Sequence, residues 1–523
     1  MKQKILFWAA LSAATALTAI ILAPIQAMPF GRDQALLAVG GELGGVLPTL
    51  HEFWHDRAPG AFVWMRAALA LGGETEGGAR TVEWAWMVVT CLALWLTAFR
   101  WTRGSLWAAS LACLLLAIRY VAGGFLETLV PAGLALLPLL LALALWGPVG
   151  ERRSAGRLLA AGGLLGVAAL FASVSLWVAV ALLVAELLSG ERGETFVRAN
   201  RSALLAAIGA LGLPLLYFLW TLATVEGYLV WQAFDADFQA FGTQPPYFAV
   251  DIIVAVVAAA IALRNEALRP TAAPLALALF MLWLAAGIFA APSDRVLLFG
   301  PLALTGAWLV TAGVRWTARQ GLPRWIGASA LVAFSAALVL GGPWLDAYRQ
   351  WNTFAHYLRG EDVVAYSGRF NHAPSDFSYR ATREIAVELK RRARPGERLL
   401  VWGAEPGLYR YSGLPPATRF LTHAPILTAD DPVPLQQEVL DEFSIRQPEW
   451  IVVRHGDQHL PFFHGRRDSR EALKDVPPLH DTIAAQYTVV EDRFGFAIHQ
   501  FTHQGARVPE RPGPPPIPLP TQP

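Results

Sequence analysis

Long apolar stretches recur through the first two-thirds of this 523-residue chain. Most of them approach the roughly 20 residues that an α-helix needs to cross the hydrocarbon core of a bilayer. Residues 346–523, by contrast, have the mixed composition of a water-exposed chain. The pattern predicts a helical membrane bundle over residues 1–345, followed by a C-terminal globular domain.

The overall composition supports this division. Only 16% of the residues are charged and the mean hydropathy is +0.41, whereas a soluble globular protein has about 25% charged residues. These values exclude an ordinary cytosolic enzyme and a disordered chain. The net charge of +2 implies no nucleic acid or other polyanionic partner. Two cysteines, Cys91 and Cys113, cannot form a disulfide framework.

About eleven stretches read as membrane spans. They cover residues 5–24, 84–99, 105–122, 128–147, 158–173, 175–189, 202–222, 249–263, 272–291, 296–313 and 325–342. The first stretch is followed by Ile25-Gln26-Ala27, a poor cleavage site, and so we expect it to remain as an uncleaved anchor.

The distribution of Lys and Arg predicts the orientation of the bundle, because cytoplasmic links carry an excess of both. If the N-terminus is cytoplasmic, the inside links hold fifteen Lys and Arg residues, and the outside links before the C-terminal domain hold six. Every inside link obeys the alternation. We therefore predict an odd number of spans and a C-terminal domain that lies outside the cytoplasm.

The C-terminal domain, residues 346–508, has an α/β pattern. The apolar run that ends at Trp402 reads as a buried strand followed by a turn and a helix, and Trp450-Ile-Val-Val453 reads as a second buried strand. Residues 434–444 between them have helical spacing. Residues 509–523 are Pro-rich and are predicted to be disordered.

Two long external loops, residues 25–83 and 223–248, are candidates for function because long loops in compact proteins tend to be functional. The first contains Asp33 close to the end of the first span, where an ionisable group is a functional candidate. Asp33 could instead cap a helix over residues 34–44. The second loop has aromatic residues at helical spacing and is predicted to hold an interfacial helix.

Three further polar residues lie on the same predicted side. Glu127 is expected to head the span that starts at Thr128, and Arg119 is the basic residue of the same link. Arg295 interrupts two spans, and a guanidinium there either pairs with Asp294 or clamps an anion such as phosphate. Their location on one face predicts one external site.

The segment His51-Glu52-Phe53-Trp54-His55 matches the HExxH motif of zinc proteases. Pro48 and Pro59 leave little room for a long active-site helix, and charged residues follow the motif directly. A zinc membrane protease, which Glu52→Gln would inactivate, a metal site of another kind, and a segment that binds no metal all remain alternatives.

Four landmarks resemble the bacterial GT-C superfamily of glycosyltransferases that use lipid-linked sugars. The nearest branches are those like protein mannosyltransferases, aminoarabinose transferases and rhizobial core-sugar transferases. The landmarks are an acid after span one (Asp33), an aromatic–acid–base–Pro run (54–59), an acid after span three (Glu127) and a late Arg with a Pro-containing span (Arg295). Arg57 stands where Lys is commoner, and Glu127 where Asp is commoner.

The resemblance implies an inner-membrane enzyme of a bacterium, with its C-terminal domain in the periplasm. It would move a sugar, with inversion, from a polyprenyl-phosphate donor to an acceptor hydroxyl of the cell envelope. By resemblance, Asp33 is the base and Glu127 holds the acceptor or shares that role. Arg57, Arg295 and Arg119 would bind the donor phosphate. His51, His55 and Asp56 would hold a divalent ion, if there is one.

A transporter or flippase is the alternative that is not an enzyme. A transporter predicts broken helices at the membrane midplane in paired repeats, and the sequence offers no convincing repeat. The sequence does not identify the sugar, the acceptor or the carrier length.

Overall fold

The structure, a computed structural model, describes most of the chain. The described residues are 2–31, 34–42, 59–148, 153–189, 194–224, 256–257, 260, 274–281, 296–319, 343–372, 377–428, 432–457 and 468–502. Within them, an N-terminal helical bundle is followed by a mixed α/β region. This is the architecture of a multi-span helical membrane protein with a C-terminal α/β domain.

The long helices of the bundle each overlap a predicted apolar stretch. The bundle contains α1 (Lys2–Leu22), α2 (Gln34–Glu42), α3 (Pro59–Gly72), α4 (Glu76–Trp101), α5 (Leu106–Ala122), α6 (Gly124–Glu127), α7 (Pro131–Trp146), α8 (Ala155–Phe171), α9 (Leu176–Ser189), α10 (Glu194–Thr224) and α11 (Phe299–Arg319). A 3₁₀ turn at Ser173–Ser175 joins α8 to α9, between the two predicted stretches 158–173 and 175–189.

Four helical stretches among the described residues have the length and hydropathy of membrane spans. They are Gln3–Ala27, Glu76–Trp101, Leu204–Ala223 and Val296–Arg315. Shorter apolar helices cover Leu106–Ala122, Pro131–Trp146, Ala155–Phe171 and Ser173–Ala185. The predicted spans 249–263, 272–291 and 325–342 lie wholly or largely outside the described residues, and so the count of eleven stays a prediction.

The start of α4 differs from the prediction, since the helix begins at Glu76 and not near residue 84. Thr75 caps it by accepting a hydrogen bond from the backbone N–H of Gly78 at 3.0 Å. Arg80 and Glu83 therefore lie inside the helix. The average hydropathy falls at these charged residues, and so the predicted span starts after them. The helix itself, capped by Thr75, includes them.

Small residues allow α8 and α10 to pack closely. A Cβ atom on Gly162 would lie 2.3 Å from the carbonyl oxygen of Ala206, and one on Gly209 would lie 2.7 Å from that of Leu159. Membrane helices commonly associate through such small-residue faces, because the backbones can then approach each other.

Three of the predicted cytoplasmic arginines among the described residues, Arg100, Arg157 and Arg315, lie at one end of the bundle. Their guanidinium groups donate to carbonyl groups at the ends of neighbouring helices, which lack intrahelical partners. The pairs include Arg100 with Ala144, Arg157 with Leu145, and Arg315 with Thr102. At 1.5 Å per residue, Arg100 lies about 36 Å along α4 from Glu76. This clustering agrees with the predicted alternation, while the orientation in a membrane stays a prediction.

The C-terminal region contains eight described helices and six strands. The helices are α12 (Pro343–Leu358), α13 (Val363–Ser367), α14 (Tyr379–Arg392), α15 (Gly407–Ser412), α16 (Ala424–Thr428), α17 (Pro432–Ile445), α18 (Ser469–Ala472) and α19 (Pro477–Gln486). The strands are β1 (Asn371–His372), β2 (Phe377–Ser378), β3 (Leu399–Trp402), β4 (Trp450–Arg454), β5 (Tyr487–Arg493) and β6 (Phe496–Phe501). The two predicted strands and the helix between them are confirmed.

The main sheet has the order β3-β4-β6-β5, with β3 and β4 parallel and the other pairs antiparallel. β3 and β4 are buried along their whole length, as parallel strands covered on both faces are. Leu399 and Val401 belong to the apolar core that continues into the bundle, whereas Leu400 and Trp402 face a second core with α17. The domain thus packs directly onto the membrane bundle.

Candidate functional site

Two of the eight predicted site residues, Arg119 and Glu127, lie within the described residues. The other six lie outside them, namely Asp33, His51, His55, Asp56, Arg57 and Arg295. The roles given to these six stay predictions. Their described neighbours nevertheless show which parts of the chain meet.

The segment before Asp33 packs against the segment before Glu127. A Cβ atom on Gly31 would lie 2.3 Å from the carbonyl oxygen of Phe125 and 3.1 Å from the Cα of Leu126. Only glycine tolerates so close an approach of two backbones. Gly31 and Phe125 each precede one of the predicted acids by two residues, and so the described residues before the first and third landmarks meet in the fold.

Gln34, the residue after Asp33, ties the same segment to the C-terminal domain. Its side chain is buried, and its Oε1 accepts a hydrogen bond from the backbone N–H of Gly407 at 3.1 Å. A Cβ atom on Gly407 would lie 2.4 Å from that oxygen. The start of α15 therefore covers the start of α2.

Glu127 does not head the following span, contrary to the prediction. It ends the one-turn helix α6, and α7 begins only at Pro131. Leu129 has a φ of +58°, and Val130 is extended because a residue before proline avoids the helical region. The half-buried side chain of Glu127 lies over Gly123, where a Cβ atom would be 2.8 Å from that of Glu127.

Arg119 lies at the end of α5, against the start of α11. Its guanidinium carbon is 4.9 Å from the centroid of the Phe299 ring, a cation–π contact. Phe299 follows Arg295 by four residues. The end of α5 therefore meets the start of α11, the described part of the fourth landmark.

The second landmark ends at Pro59, the first residue of α3. A Cβ atom on Gly60 would lie 2.6 Å from the carbonyl oxygen of Leu170, next to the Ser173–Ser175 turn. An apolar cleft of about 570 Å³ opens between α3, α8 and α10. Its lining includes Pro59, Trp64, Phe171, Leu216, Tyr217 and Trp220.

A buried polar network connects α4 and α5 at the same end of the bundle. Arg80 Nη1 donates to Glu83 Oε2 at 2.6 Å and to Thr128 Oγ1 at 3.1 Å. Tyr120 donates its hydroxyl proton to Glu83 Oε1 at 2.7 Å. Arg80 and Glu83 are both fully buried. A buried charge is costly unless it is paired, and each of the two is the partner of the other.

Glu76 connects the start of α4 to the C-terminal domain. Its carboxylate accepts hydrogen bonds from Tyr379 at 2.7 Å, from Tyr411 at 3.1 Å and from the backbone N–H of Phe30 at 2.7 Å. Burial, together with the nearby Glu76 charge, raises the pKa of Tyr379 and of Tyr411, and so both hydroxyls stay protonated and can donate. Arg410 adds a pair with Glu74 at 3.1 Å.

A second buried ion pair lies at the carboxyl ends of β3 and β4. Arg454 Nε is 3.3 Å from Glu405 Oε1, and both side chains are almost fully buried. Burial raises the pKa of Glu405 to about 7, because desolvation and the Asp457 charge outweigh the attraction of Arg454. Glu405 precedes Gly407 by two residues, and so this pair lies beside the contact with Gln34.

The described residues contain no group of three or more His, Cys, Asp or Glu side chains that could hold a metal ion. His51, His55 and Asp56 lie outside the part of the chain that was searched. A divalent ion at these three residues therefore stays a prediction.

Glu76, Arg80 and Glu83 were not among the residues predicted from the sequence. A signal for them exists, since Thr75 followed by an acid is a typical helix start. A helix from that point places Arg80 and Glu83 one turn apart, next to an apolar span. The contact of Gln34 with Gly407 has no local signal.

No family model matches this chain, and no curated protein matches it. It is structurally similar, at low identity, to the oligosaccharyltransferase of the archaeon Archaeoglobus fulgidus. The structure of that enzyme tethered to an acceptor peptide with the NVT sequon has a TM-score of 0.47 and 10% identity, covering 85% of this chain and 69% of the enzyme.

A second structure of the archaeal enzyme, AglB in complex with an inhibitory peptide and a dolichol-phosphate, has a TM-score of 0.49 and 10% identity. This similarity covers 95% of the present chain and 75% of AglB. With TM-scores below 0.5, these similarities determine neither the family nor the reaction of this chain.

Proposed function

We propose that this protein is a membrane glycosyltransferase that moves a sugar from a polyprenyl-phosphate donor to an acceptor hydroxyl. The observation that carries the proposal is the packing of Gly31 on Phe125, next to the contact of Gln34 with Gly407. These contacts bring residues on both sides of Asp33 next to the residues before Glu127 and to the start of α15, and this supports one shared site for the two acids. The reaction would take place at that end of the bundle.

The proposed reaction needs a base, because an acceptor hydroxyl is a poor nucleophile until its proton is removed. We assign this role to Asp33. Glu127 would hold the acceptor or share the proton. Its half-buried side chain at the end of α6 is compatible with either role.

The leaving group would be a lipid phosphate, on which negative charge grows during transfer and which fixed cations stabilise. Arg57, Arg295 and Arg119 are the proposed cations. The contact of Arg119 with Phe299 supports placing Arg119 near the segment of Arg295. The apolar cleft that starts at Pro59 would accommodate part of a prenyl chain next to Arg57.

The experiment that tests this function is the transfer of labelled sugar by the purified protein in lipid nanodiscs. The donors are a panel of polyprenyl-phosphate hexoses and pentoses, with a membrane-lipid extract as the source of acceptors. We expect sugar transfer by the wild type and loss of turnover, with donor binding retained, in Asp33→Asn. Asp346→Asn, at a surface ion pair with Arg349, is the matched control. Normal turnover in Asp33→Asn would remove the base assignment.

The phosphate assignment is tested separately, by donor binding. Arg57→Ala and Arg295→Ala should each weaken the binding of polyprenyl phosphate, while Arg349→Ala on the exposed surface should not. Unchanged affinity in both variants would exclude them as phosphate ligands. Transport of intact donor across vesicles without transfer of sugar would favour the flippase alternative.

A further inference from the structure

We propose that Arg80, Glu83 and Tyr120 are positioning residues that hold residues 28–31 and 127–129, which adjoin or include the two predicted acids, at a fixed separation. The inference rests on the proposed function for its chemistry, since it concerns the segments of Asp33 and Glu127. Its structural part, that these side chains hold residues 28–31 and 127–129 together, can be tested without any reaction.

Arg80 contacts both segments at once. One terminal nitrogen of its guanidinium donates to the carbonyl oxygen of Pro29, and the other donates to Thr128 Oγ1. The guanidinium carbon also lies 4.7 Å from the centroid of the Phe30 ring. A single planar cation therefore links a residue four before Asp33 to the residue directly after Glu127.

Tyr120 holds the second segment from the other side. Its hydroxyl oxygen accepts a hydrogen bond from the backbone N–H of Leu129 at 3.1 Å. Leu129 has a φ of +58°, which is strained for a leucine, and so this segment needs external support. Glu83 accepts from both Tyr120 and Arg80, and this completes a chain of hydrogen bonds from Pro29 to Leu129.

Stability alone is a weak reason for this arrangement. Two fully buried charges lose their hydration, and their mutual attraction often does no more than offset that loss. Apolar side chains of similar volume would fill the same space. Apolar side chains, however, cannot form directional hydrogen bonds to two separate backbone segments. The proposed reaction requires the distance between these segments to be set precisely enough for proton transfer.

The deciding variant is Arg80→Met combined with Glu83→Leu, because replacing a buried ion pair by apolar residues usually preserves folding. Tyr120→Phe is the milder second variant, since it removes one hydroxyl group. Thr97→Val is the matched control. Thr97 is a buried residue of α4 that donates to the carbonyl oxygen of Leu140, away from both segments.

We expect the double variant to unfold at the same temperature as the wild type or higher. Its KM for the donor should stay within about twofold, and its kcat should fall by about tenfold or more, because misplaced groups lose rate and not ground-state binding. Tyr120→Phe should lower kcat by a smaller factor. Thr97→Val should change neither constant. A folded double variant with the kcat of the wild type would overturn the proposal.

Hydrogen exchange separates this proposal from the proposed function. Peptides that cover residues 28–31 and 127–130 should exchange faster in the double variant and in Tyr120→Phe, but not in Thr97→Val. If the wild type transfers no sugar, the proposed function fails, and exchange alone then decides whether the network holds the two segments. Unchanged exchange in a folded double variant would show that the network does not hold the two segments. If the double variant does not fold, unchanged exchange in Tyr120→Phe would show the same.

Discussion

The side-chain carbonyl of Gln34 accepts a hydrogen bond from the backbone N–H of Gly407, which is 373 residues later in the chain. Gln34 begins the helix directly after the first membrane span, and Gly407 begins a helix of the C-terminal domain. Glu76 adds two hydrogen bonds from tyrosines of that domain. The domain is therefore attached to the starts of α2 and α4, and its docking is open to experiment.

Gln34→Met should loosen this docking. The methionine has nearly the same shape but cannot accept the hydrogen bond from the backbone N–H of Gly407. Leaving a buried N–H unpaired costs about 1–3 kcal/mol. We expect a lower unfolding temperature and faster hydrogen exchange in the peptide that covers residues 405–409. Gln437→Met, at an exposed position of α17, serves as the control and should leave both quantities unchanged. Equal exchange in the two variants would contradict the importance of the contact.

Glu76→Gln should weaken the attachment of the domain at a second point. An amide has one acceptor oxygen where the carboxylate has two, and so Tyr379 and Tyr411 cannot both donate as before. Hydrogen bonds to a charged acceptor contribute about 1.5–3 kcal/mol, and thermal unfolding should show a loss of that order. Tyr379→Phe combined with Glu76→Gln should lose less than the sum of the single changes, because the two residues share a bond.

A surface carboxylate provides the comparison for Glu76. Glu384→Gln removes an ion pair with the half-exposed Arg380, and such pairs contribute at most about 1 kcal/mol. If Glu384→Gln and Glu76→Gln lowered the unfolding temperature equally, Glu76 would contribute no more to stability than a surface carboxylate, and the prediction would be wrong.

The contribution of Glu405 to the stability of the C-terminal domain should fall as the pH rises through the acidic range. Burial raises the pKa of Glu405 from 4.5 to about 7. Between these values the folded domain keeps a proton that the unfolded chain has released. Rising pH therefore favours the unfolded state up to about pH 7, and the effect levels off above that value.

Glu405→Gln should remove this pH dependence, because the amide does not titrate. The measurement is the unfolding temperature of the wild type and of the variant between pH 5 and pH 8. Above about pH 7 the variant also lacks the negative charge that Glu405 presents to Arg454, and so the slope with pH is the quantity to compare. Identical slopes in the two proteins would show that Glu405 does not titrate in this range.

Cysteine labelling should test the predicted orientation. The two native cysteines, Cys91 and Cys113, are buried and should react little. We expect a membrane-impermeant maleimide to label Val433→Cys in the C-terminal domain from outside the cell. Ala155→Cys, at the arginine-rich end of the bundle, should react only after permeabilisation. The reverse result would invert the topology.

Much of the architecture follows from local patterns. The apolar stretches at residues 105–122 and 158–173 predicted α5 and α8 to within a few residues, because a helix buried among other helices needs a continuous apolar surface. Strand β4 was equally visible, since Trp450-Ile-Val-Val453 is buried on both faces. Asp33, Arg57 and Arg295 lie outside the described residues, and so the roles predicted for them stay predictions.

The sequence by itself determined that this chain forms a membrane bundle with a C-terminal α/β domain, because hydropathy and charge distribution act locally along the chain. Only the tertiary structure decided that Arg80 bridges Pro29 and Thr128, and that Gln34 meets Gly407. Such contacts join residues that are tens to hundreds of positions apart. They depend on how helices and sheet pack in three dimensions, and no periodicity along the chain encodes that packing directly.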